Sequence, residues 1–186
     1  MPSEFDVSAR LRAIAEATLQ LARDEGPRGV TVRAVAKKLG GSTTLVTKFV
    51  PTRTDLMRNA FEYVAVNWAS DLAETLNGTN GMEKLRALAG WSLQTVNYDD
   101  AIRSLWIAAL SGDPVEAAKE GTVQQQARGE YEFIRATTAE AGQEEWVADA
   151  LFLLFRGYYL SSVEDPEAWP SERASAAVMQ VLDRLD

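Results

Sequence analysis

The stretch LGGSTTLVTKFVPTRTDL, at residues 39–56, carries a run of polar side chains suited to contacting a partner. It places two glycines, a run of hydroxyl side chains, a lysine and a proline between two segments with ordinary helical patterns. Hydroxyl groups both donate and accept hydrogen bonds, and lysine adds a positive charge. The stretch predicts a short helix whose exposed side chains are mostly threonine.

Catalytic chemistry has few candidates in this chain. There is no cysteine and no histidine, which removes thiolate ligands, disulfides, the commonest metal ligand and the usual general base. No acid and base are paired at helical spacing, and adjacent Asp99 and Asp100 are better explained as helix caps. We therefore expect neither an enzyme nor a cofactor or metal site.

Charge is distributed unevenly along the 186 residues, whose net charge is -8. Residues 1–58 hold ten Lys/Arg and six Asp/Glu, a balance of +4, whereas residues 59–186 hold nine and 21, a balance of -12. A basic head on an acidic body is typical of a nucleic-acid-binding module joined to a part that binds other molecules. Chance clustering on solvated helix faces gives the same pattern.

Neither export nor membrane insertion is indicated. The N-terminus, MPSEFDVSARLR, lacks the apolar core of a signal peptide. The most apolar run, WVADALFLLFRGYYLSSV at 146–163, is interrupted by Asp149 and Arg156. We expect a cytoplasmic protein without a membrane partner.

Apolar residues recur every three or four positions along almost the whole chain, which predicts an all-α fold. Thr31, Ser42 and Thr52 are predicted N-caps, with Asp55 completing a capping box at Thr52. Glycines and prolines mark the helix ends. The predicted helices span about 8–25, 32–39, 43–49, 53–76, 82–98, 101–111, 115–141, 144–163 and 171–185.

The first three predicted helices, with a glycine turn between the second and third, describe a helix-turn-helix. Ala36 is small enough for the close helix crossing, and glycine permits the positive φ of the turn. Residues 14–57, IAEATLQLARDEGPRGVTVRAVAKKLGGSTTLVTKFVPTRTDLM, resemble the N-terminal DNA-binding domain of the TetR (tetracycline-repressor-like) family of bacterial transcriptional regulators. Beyond these residues the likeness is architectural only.

Four positions depart from the family pattern around the recognition helix. Gly41, Thr44, Thr47 and Val50 stand where the family prefers valine, glycine, tyrosine and phenylalanine. The family tyrosine typically touches a DNA phosphate, so Thr47 keeps a hydroxyl with a shorter reach. Gly41 and Thr47 motivate one alternative, a helical ligand-binding or interaction protein whose degenerate head no longer binds DNA.

The resemblance implies a homodimeric repressor that a small molecule releases from double-stranded operator DNA. Residues 1–54 would form the helix-turn-helix domain and residues 55–186 a helical domain for ligand binding and dimerisation. Thr43, Thr44, Thr47 and Lys48 would face the groove, while other residues would contact the DNA backbone. The implied DNA-binding set is Thr31, Arg33, Lys37, Ser42, Thr43, Thr44, Thr47, Lys48 and Arg53.

In the body, the resemblance implies a ligand pocket and a dimer interface formed by the last two helices. Large apolar side chains and one hydroxyl would line the pocket: Trp68, Trp91, Thr95, Trp106, Phe133 and Phe152. Because the body is acidic and has no basic cluster, we expect a neutral, apolar or cationic effector. Each aromatic residue is also explained as ordinary core.

Overall fold

A computed structural model describes residues 4–94, 99–110 and 122–185. Within these ranges the regular structure is helical, as predicted, and includes a short 3-10 turn at Pro27–Gly29. None of the helices found there is long and apolar enough to cross a membrane. The helices are α1 (Glu4–Glu25), α2 (Val32–Lys38), α3 (Thr43–Thr47), α4 (Arg53–Leu76), α5 (Gly81–Ser92), α6 (Asp99–Leu110), α7 (Thr122–Glu140), α8 (Glu145–Glu164) and α9 (Ser171–Leu182).

The chain forms two compact units. Unit 1 comprises Met1–Trp68 and Asn97–Ser111, and unit 2 comprises Ala69–Val96 and Gly112–Asp186. The predicted boundary between residues 54 and 55 therefore falls inside unit 1, at the start of α4. The predicted boundary divides the chain by expected function, whereas the two units each have their own hydrophobic core. The boundary by function stays a prediction.

The core of unit 1 is built on the apolar stripe of α1. Ile14, Ala15 and Leu21 are buried, as their three- and four-residue spacing predicts. Thr18 is also fully buried, and its Oγ1 donates to the Ile14 carbonyl at 2.8 Å. This bond to the preceding turn satisfies a hydroxyl that would otherwise be costly to bury.

Local capping fixes the starts of α2 and α4. Thr31 Oγ1 accepts from the Ala34 amide at 3.1 Å, and the flanking Val30 is fully buried. At α4, the Asp55 carboxylate accepts from the Thr52 amide at 3.0 Å, and Thr52 Oγ1 accepts from the Asp55 amide at 3.1 Å. The predicted capping box is thus present, with reciprocal bonds to two otherwise unpaired amides.

Helix α6 belongs to unit 1, where it packs against α1. Two carboxylates in its first turn bond to residues outside the helix. Asp99 accepts from Trp68 Nε1 at 3.0 Å, and Asp100 pairs with Arg23 at 2.9 Å. The helix begins at Asp99 rather than near 101, so the two aspartates form its first turn instead of preceding it as the predicted caps. They also join segments 31 and 77 residues apart, which no local pattern reveals.

Unit 2 contains α5, α7, α8 and α9 around a second apolar core. Its largest fully buried side chains come from all four helices and include Leu85, Ile134, Phe155 and Leu182. Surface pairs join the same helices, with Lys84 bound to Glu140 at 2.6 Å and Arg86 to Asp183 at 2.9 Å. Exposed pairs of this kind add little stability, so apolar burial holds the unit together.

Three helices end two or more residues earlier than predicted. Helix α3 ends at Thr47 rather than Phe49, and the chain then tightens, with the Phe49 amide bonded to the Val46 carbonyl at 2.9 Å. Pro51 disfavours helical backbone at Val50, which explains this tight final turn. Helix α5 ends at Ser92 and α9 at Leu182, against predicted ends near 98 and 185.

Of the two glycines between α2 and α3, only Gly40 has a backbone conformation that favours glycine. Gly40 has φ +66°, a conformation that costs an L-residue about 1–2 kcal/mol. Gly41 has no such constraint, and a Cβ there would meet only Leu45 Cδ1, at 3.1 Å. A small cavity bordered by Ala36, Leu39, Gly41 and Leu45 lies beside it.

We expect Gly40→Ala and Gly41→Ala to change stability in opposite directions. Gly40→Ala should lower the free energy of unfolding by about 1–2 kcal/mol because of its backbone conformation. Gly41→Ala should raise it by about 0.4–1 kcal/mol, since it restricts the unfolded chain and the half-exposed Leu45 can move aside. Urea unfolding measures both changes. A loss of stability in Gly41→Ala as large as that in Gly40→Ala would contradict this interpretation.

Candidate nucleic-acid interface

The helix-turn-helix is formed by α2, the glycine turn and α3. The turn is closed by backbone bonds from the Gly41 amide to the Ala36 carbonyl at 2.9 Å and from the Gly40 amide to the Lys37 carbonyl at 3.0 Å. Ala36 is 2% exposed at the inner face of α2, so a small residue is required there, as predicted. The turn fixes where α3 begins.

Helix α3 presents almost all of its side chains to solvent. Val46 is its one buried residue, and Val50 beyond its end is also buried, which anchors the segment to the core of unit 1. The exposed residues of this segment are Ser42, Thr43, Thr44, Leu45, Thr47 and Lys48. Every predicted groove-facing residue is therefore accessible, and Leu45 joins them.

The two predicted caps on this motif behave differently. Thr31 Oγ1 caps α2, so its hydroxyl already has a backbone partner. Ser42 occupies the N-cap position of α3 with extended backbone, but its side chain makes no capping bond. The prediction that the Ser42 hydroxyl caps the helix was wrong, because sequence gives the cap position but not the side-chain rotamer. The hydroxyl is left available to a phosphate.

Thr47 stands where the family places tyrosine. Its Oγ1 donates to the Thr44 carbonyl at 3.5 Å, the long limit for such a bond. A hydroxyl held so weakly can turn toward another acceptor, but its short side chain reaches less far than tyrosine would. Its contact with DNA stays a prediction.

Several positive charges of unit 1 are neutralised within the protein. Lys38 pairs with Asp24 at 3.3 Å and Arg23 with Asp100 at 2.9 Å. Arg12 donates to Glu16 at 3.2 Å, and Tyr63 donates to the same carboxylate at 2.9 Å. The bond to Glu16 is the largest cause that raises the pKa of Arg12, while burial is the largest cause that raises the pKa of Tyr63.

A second group of cations has no hydrogen bond or ion pair with another residue of the described ranges. All are exposed, and Lys48 has only the Phe49 ring beside its ammonium group, with Nζ 5.9 Å from the ring centre. The group comprises Arg10, Arg28, Arg33, Lys37 and Lys48. Unpaired cations are the groups that can neutralise DNA phosphates. Three of them, Arg33, Lys37 and Lys48, belong to the predicted DNA-binding set.

Arg53, which was predicted to bind a DNA phosphate, donates to two backbone carbonyls of the head. Its Nε donates to the Val30 carbonyl at 3.0 Å and its Nη2 to the Pro27 carbonyl at 2.8 Å. The planar guanidinium thereby joins the start of α4 to the segment before α2. A phosphate contact through the same exposed side chain stays a prediction, but holding the helix-turn-helix together is a role that sequence did not indicate.

Arg10 is a candidate that the sequence alone did not indicate. It lies on α1, 30 residues before Gly40 in sequence, yet it borders the same small cavity as Gly41, Ser42 and Leu45. It is exposed and has no partner among the described residues. No spacing rule connects α1 with the start of α3, so only the fold places this charge beside the recognition helix.

We expect Arg10→Ala to weaken binding to duplex DNA and to lower the slope of log affinity against log salt by about 0.9 for each head. Arg12→Ala is the matched control, because Arg12 is also exposed and lies two positions further along α1 but already pairs with Glu16. Fluorescence anisotropy at several salt concentrations measures both. Equal slopes for Arg10→Ala and the unmodified protein would exclude a phosphate contact at Arg10.

The predicted ligand-lining residues are divided between the two units. Trp68 and Trp106 belong to unit 1, where both are partly buried and Trp68 packs against the core. Within unit 2, Trp91 donates from Nε1 to Asp71 at 2.8 Å, whereas Phe133 is 41% exposed. Thr95 lies outside the described residues. A pocket lined by this set stays a prediction.

Phe152 lies within a polar and aromatic cluster in unit 2. The Arg156 guanidinium is 5.0 Å from the Phe152 ring centre and 5.9 Å from that of Tyr159. It also pairs with Glu130, whose pKa is raised because burial outweighs the opposing effect of Arg156. The cluster shows that these rings accept a cation over their faces. Apolar periodicity alone did not reveal it.

The chain matches no protein-family model and no curated protein sequence. Its structure is nevertheless similar to solved structures over nearly its full length. A protein from Rhodococcus sp., provisionally named as a TetR-family transcriptional regulator, is 18% identical, with TM-score 0.75 over 95% of this chain and 97% of that chain.

Two further solved structures contain small molecules. A provisionally named transcriptional regulator from Saccharomonospora viridis, in complex with choline, is 15% identical, with TM-score 0.73 over 95% of this chain and 96% of that chain. The multidrug binding protein EbrR, complexed with imidazole, is 23% identical, with TM-score 0.65 over 95% and 94% of the two chains. At these identities the likeness concerns the fold. This chain therefore has the all-helical fold of TetR-family transcriptional regulators, with an N-terminal helix-turn-helix and a C-terminal helical part.

Proposed function

We propose that the protein is a transcriptional regulator that binds double-stranded operator DNA through α2 and α3. The observation that carries this proposal is the set of unpaired cations that includes Arg33, Lys37 and Lys48, combined with the exposed hydroxyl face of α3. Cations without internal partners neutralise phosphates, and hydroxyls bond to phosphates or base edges. The acidic remainder of the chain leaves DNA contact to this head.

A gel-shift titration with the DNA that flanks the protein's own gene tests the proposal. Specific retardation is expected, with log affinity falling against log salt by about 0.9 for each phosphate neutralised. A mixed-sequence duplex of the same length gives the non-specific reference. If the folded protein retards neither DNA at any salt concentration, the regulator proposal fails and the interaction-protein alternative is favoured.

The proposed active form is a homodimer. Helix α8 exposes large apolar side chains along one stripe, with Leu153 68% and Trp146 51% exposed, followed by Leu154 and Leu160. Apolar stripes of this kind on a surface helix mark association sites. On α7, Phe133 is 41% exposed, and α9, which directs Ala174, Val178 and Leu182 into the core of unit 2, exposes Val181 at 37%. Either helix could therefore pack beside α8 in the dimer, and the predicted pair of α8 with α9 stays a proposal.

Two glycines on the same helices suit close packing against a second copy. Gly129 and Gly157 are exposed within α7 and α8, and a Cβ at either would meet nothing within 4 Å in the protomer. Glycine in a helix interior lowers stability by about 1 kcal/mol relative to alanine. Since alanine would fit at both positions in the isolated protomer, close approach of a second copy would explain the glycines. A dimer would also present two heads to half-sites about 34 Å apart.

The proposed effector is a small neutral, apolar or cationic molecule bound in the C-terminal part. Relatives of the same fold contain choline and imidazole, and the Phe152 and Tyr159 rings already lie against a guanidinium in this chain. Thermal-shift titration with choline and with imidazole tests the class. A saturating response to a polyanionic metabolite and to neither of these compounds would contradict it.

Release from DNA is proposed to proceed through α4. This helix contributes Leu56 and Val64 to the core of unit 1, while Leu72 and Leu76 pack against the core of unit 2. Because one continuous helix enters both cores, a shift of α4 on ligand binding would change the spacing of the two heads in the dimer. Coupling of this kind typically amounts to about 1–3 kcal/mol, or about 5- to 150-fold in operator affinity.

A further inference from the structure

The exposed surface of α3 is rich in methyl groups and lacks amide and guanidinium side chains. Its exposed residues are three threonines and Leu45, which is 49% exposed. Each threonine carries a methyl beside its hydroxyl, and Leu45 contributes two more. Lys48, at the end of the helix, is the only charged residue of the segment from Ser42 to Lys48.

Leu45 lies beside the glycine turn and is half exposed. Its Cδ1 lies 3.1 Å from the position that a Cβ of Gly41 would take, so one side of the leucine rests on the turn. The adjacent Val46 is the residue that enters the core, at 2% exposure. Leu45 therefore presents an apolar surface that its own protomer does not cover.

The unpaired cations near Leu45 favour DNA over a protein as the partner of this surface. Arg10 borders the same cavity, and Lys48 follows α3, both without carboxylate partners among the described residues. An apolar group flanked by unpaired cations matches a major groove, where phosphates border apolar base substituents. A protein partner would have to bring acidic groups to the same positions.

The side chains of α3 limit which bases the helix can distinguish. Arginine or lysine usually reads guanine, and asparagine or glutamine reads adenine, but α3 itself carries none of these side chains. Hydroxyls accept or donate with any base and discriminate weakly. The 5-methyl of thymine is the apolar substituent of the major groove, and it packs against leucine and threonine methyls.

We propose that the recognition helix selects DNA by contacting thymine 5-methyl groups, with Leu45 as the central contact and the methyls of Thr43, Thr44 and Thr47 around it. This proposal rests on the DNA binding proposed above. It predicts an operator with thymines at the positions facing α3 in each half-site.

Two duplexes that differ only in methyl groups test the proposal: alternating poly(dA-dT) and alternating poly(dA-dU). Both have the same phosphate charge and the same hydrogen-bonding groups, so electrostatic binding contributes equally. The protein is expected to bind the uracil duplex more weakly, by about fourfold for each thymine methyl that α3 covers. Anisotropy at one fixed salt concentration gives the ratio of the two affinities.

Side-chain variants complete the test. Leu45→Ala should remove most of the preference for thymine, and Thr44→Ser, which deletes a methyl but keeps the hydroxyl, should reduce it. Lys48→Ala should weaken binding to both duplexes equally and leave the ratio unchanged. Val66→Ala, which truncates a 72% exposed residue on α4, should change neither affinity.

Equal affinity of the unmodified protein for the two duplexes would overturn the methyl readout while leaving DNA binding intact. A preference that persists undiminished in both Leu45→Ala and Thr44→Ser would also overturn it. Absence of binding to both duplexes by a protein that binds the DNA flanking its gene would also overturn the methyl readout. Absence of binding to the flanking DNA as well would overturn the proposed DNA-binding function.

Discussion

Leu153→Glu is expected to convert the protein from a dimer to a monomer. Leu153 is 68% exposed at the centre of the apolar stripe of α8, so a carboxylate there costs a protomer little. At a two-fold interface the same change would bury two like charges close together, which costs several kcal/mol. Size-exclusion chromatography with light scattering measures the change in mass.

DNA binding should weaken strongly in the same variant. Two linked heads engage the second half-site at high effective concentration, which typically raises affinity by about 10²- to 10⁴-fold. We expect Leu153→Glu to lose most of that factor on the DNA flanking the gene while each head stays folded. Anisotropy measures the affinity, and circular dichroism checks the helical content.

Three comparisons locate the interface. Val66→Glu introduces the same charge at a residue of unit 1 that is 72% exposed, and it should leave the dimer intact. Phe133→Glu should dissociate the dimer if α7 is the second interface helix, and Val181→Glu should do so if α9 is. A dimer that survives Leu153→Glu unchanged would rule out the α8 stripe as the interface.

The second large effect is expected from Lys48→Glu. Lys48 is exposed at the end of α3 and has no carboxylate partner among the described residues. Charge reversal removes one phosphate contact in each head and adds a repulsion, so the salt slope should fall by about 1.8 for a dimer. Affinity at low salt should drop by at least about tenfold.

Lys38→Glu is the matched control for this prediction. Lys38 is also exposed and lies in the same helix-turn-helix, but Asp24 already neutralises its charge at 3.3 Å. Its reversal should disturb only a surface pair, a small effect on stability. If Lys38→Glu weakens binding as much as Lys48→Glu, the head acts through its net charge alone, and the distinction between paired and unpaired cations fails.

Several features of the helix-turn-helix head were predictable from interactions between residues close in sequence. The burial of Ile14 and Leu21 follows from helical periodicity, and the caps at Thr31 and Thr52 follow from the chemistry of the nearest backbone amides. The positive φ of Gly40 follows from the need for a tight turn. Each of these depends on residues a few positions apart, so the sequence contains all that is needed.

Side-chain partners across the fold were not predictable in the same way. Whether a lysine or arginine is neutralised depends on which carboxylate lies within about 4 Å, and the Asp100 partner of Arg23 is 77 residues away. The Val30 carbonyl that accepts from Arg53 is 23 residues away. The exposure of Leu45 depends on Val46 taking the core position instead. Neither periodicity nor motif matching contains this information.

The sequence by itself determined an all-helical chain with a helix-turn-helix head, because apolar spacing, caps and glycine turns act over one or two helical turns. The tertiary structure decided which cations remain unpaired, that α6 packs with the head, and which face of α8 is left uncovered. These features depend on contacts between residues distant in sequence, where packing rather than local preference selects the partner.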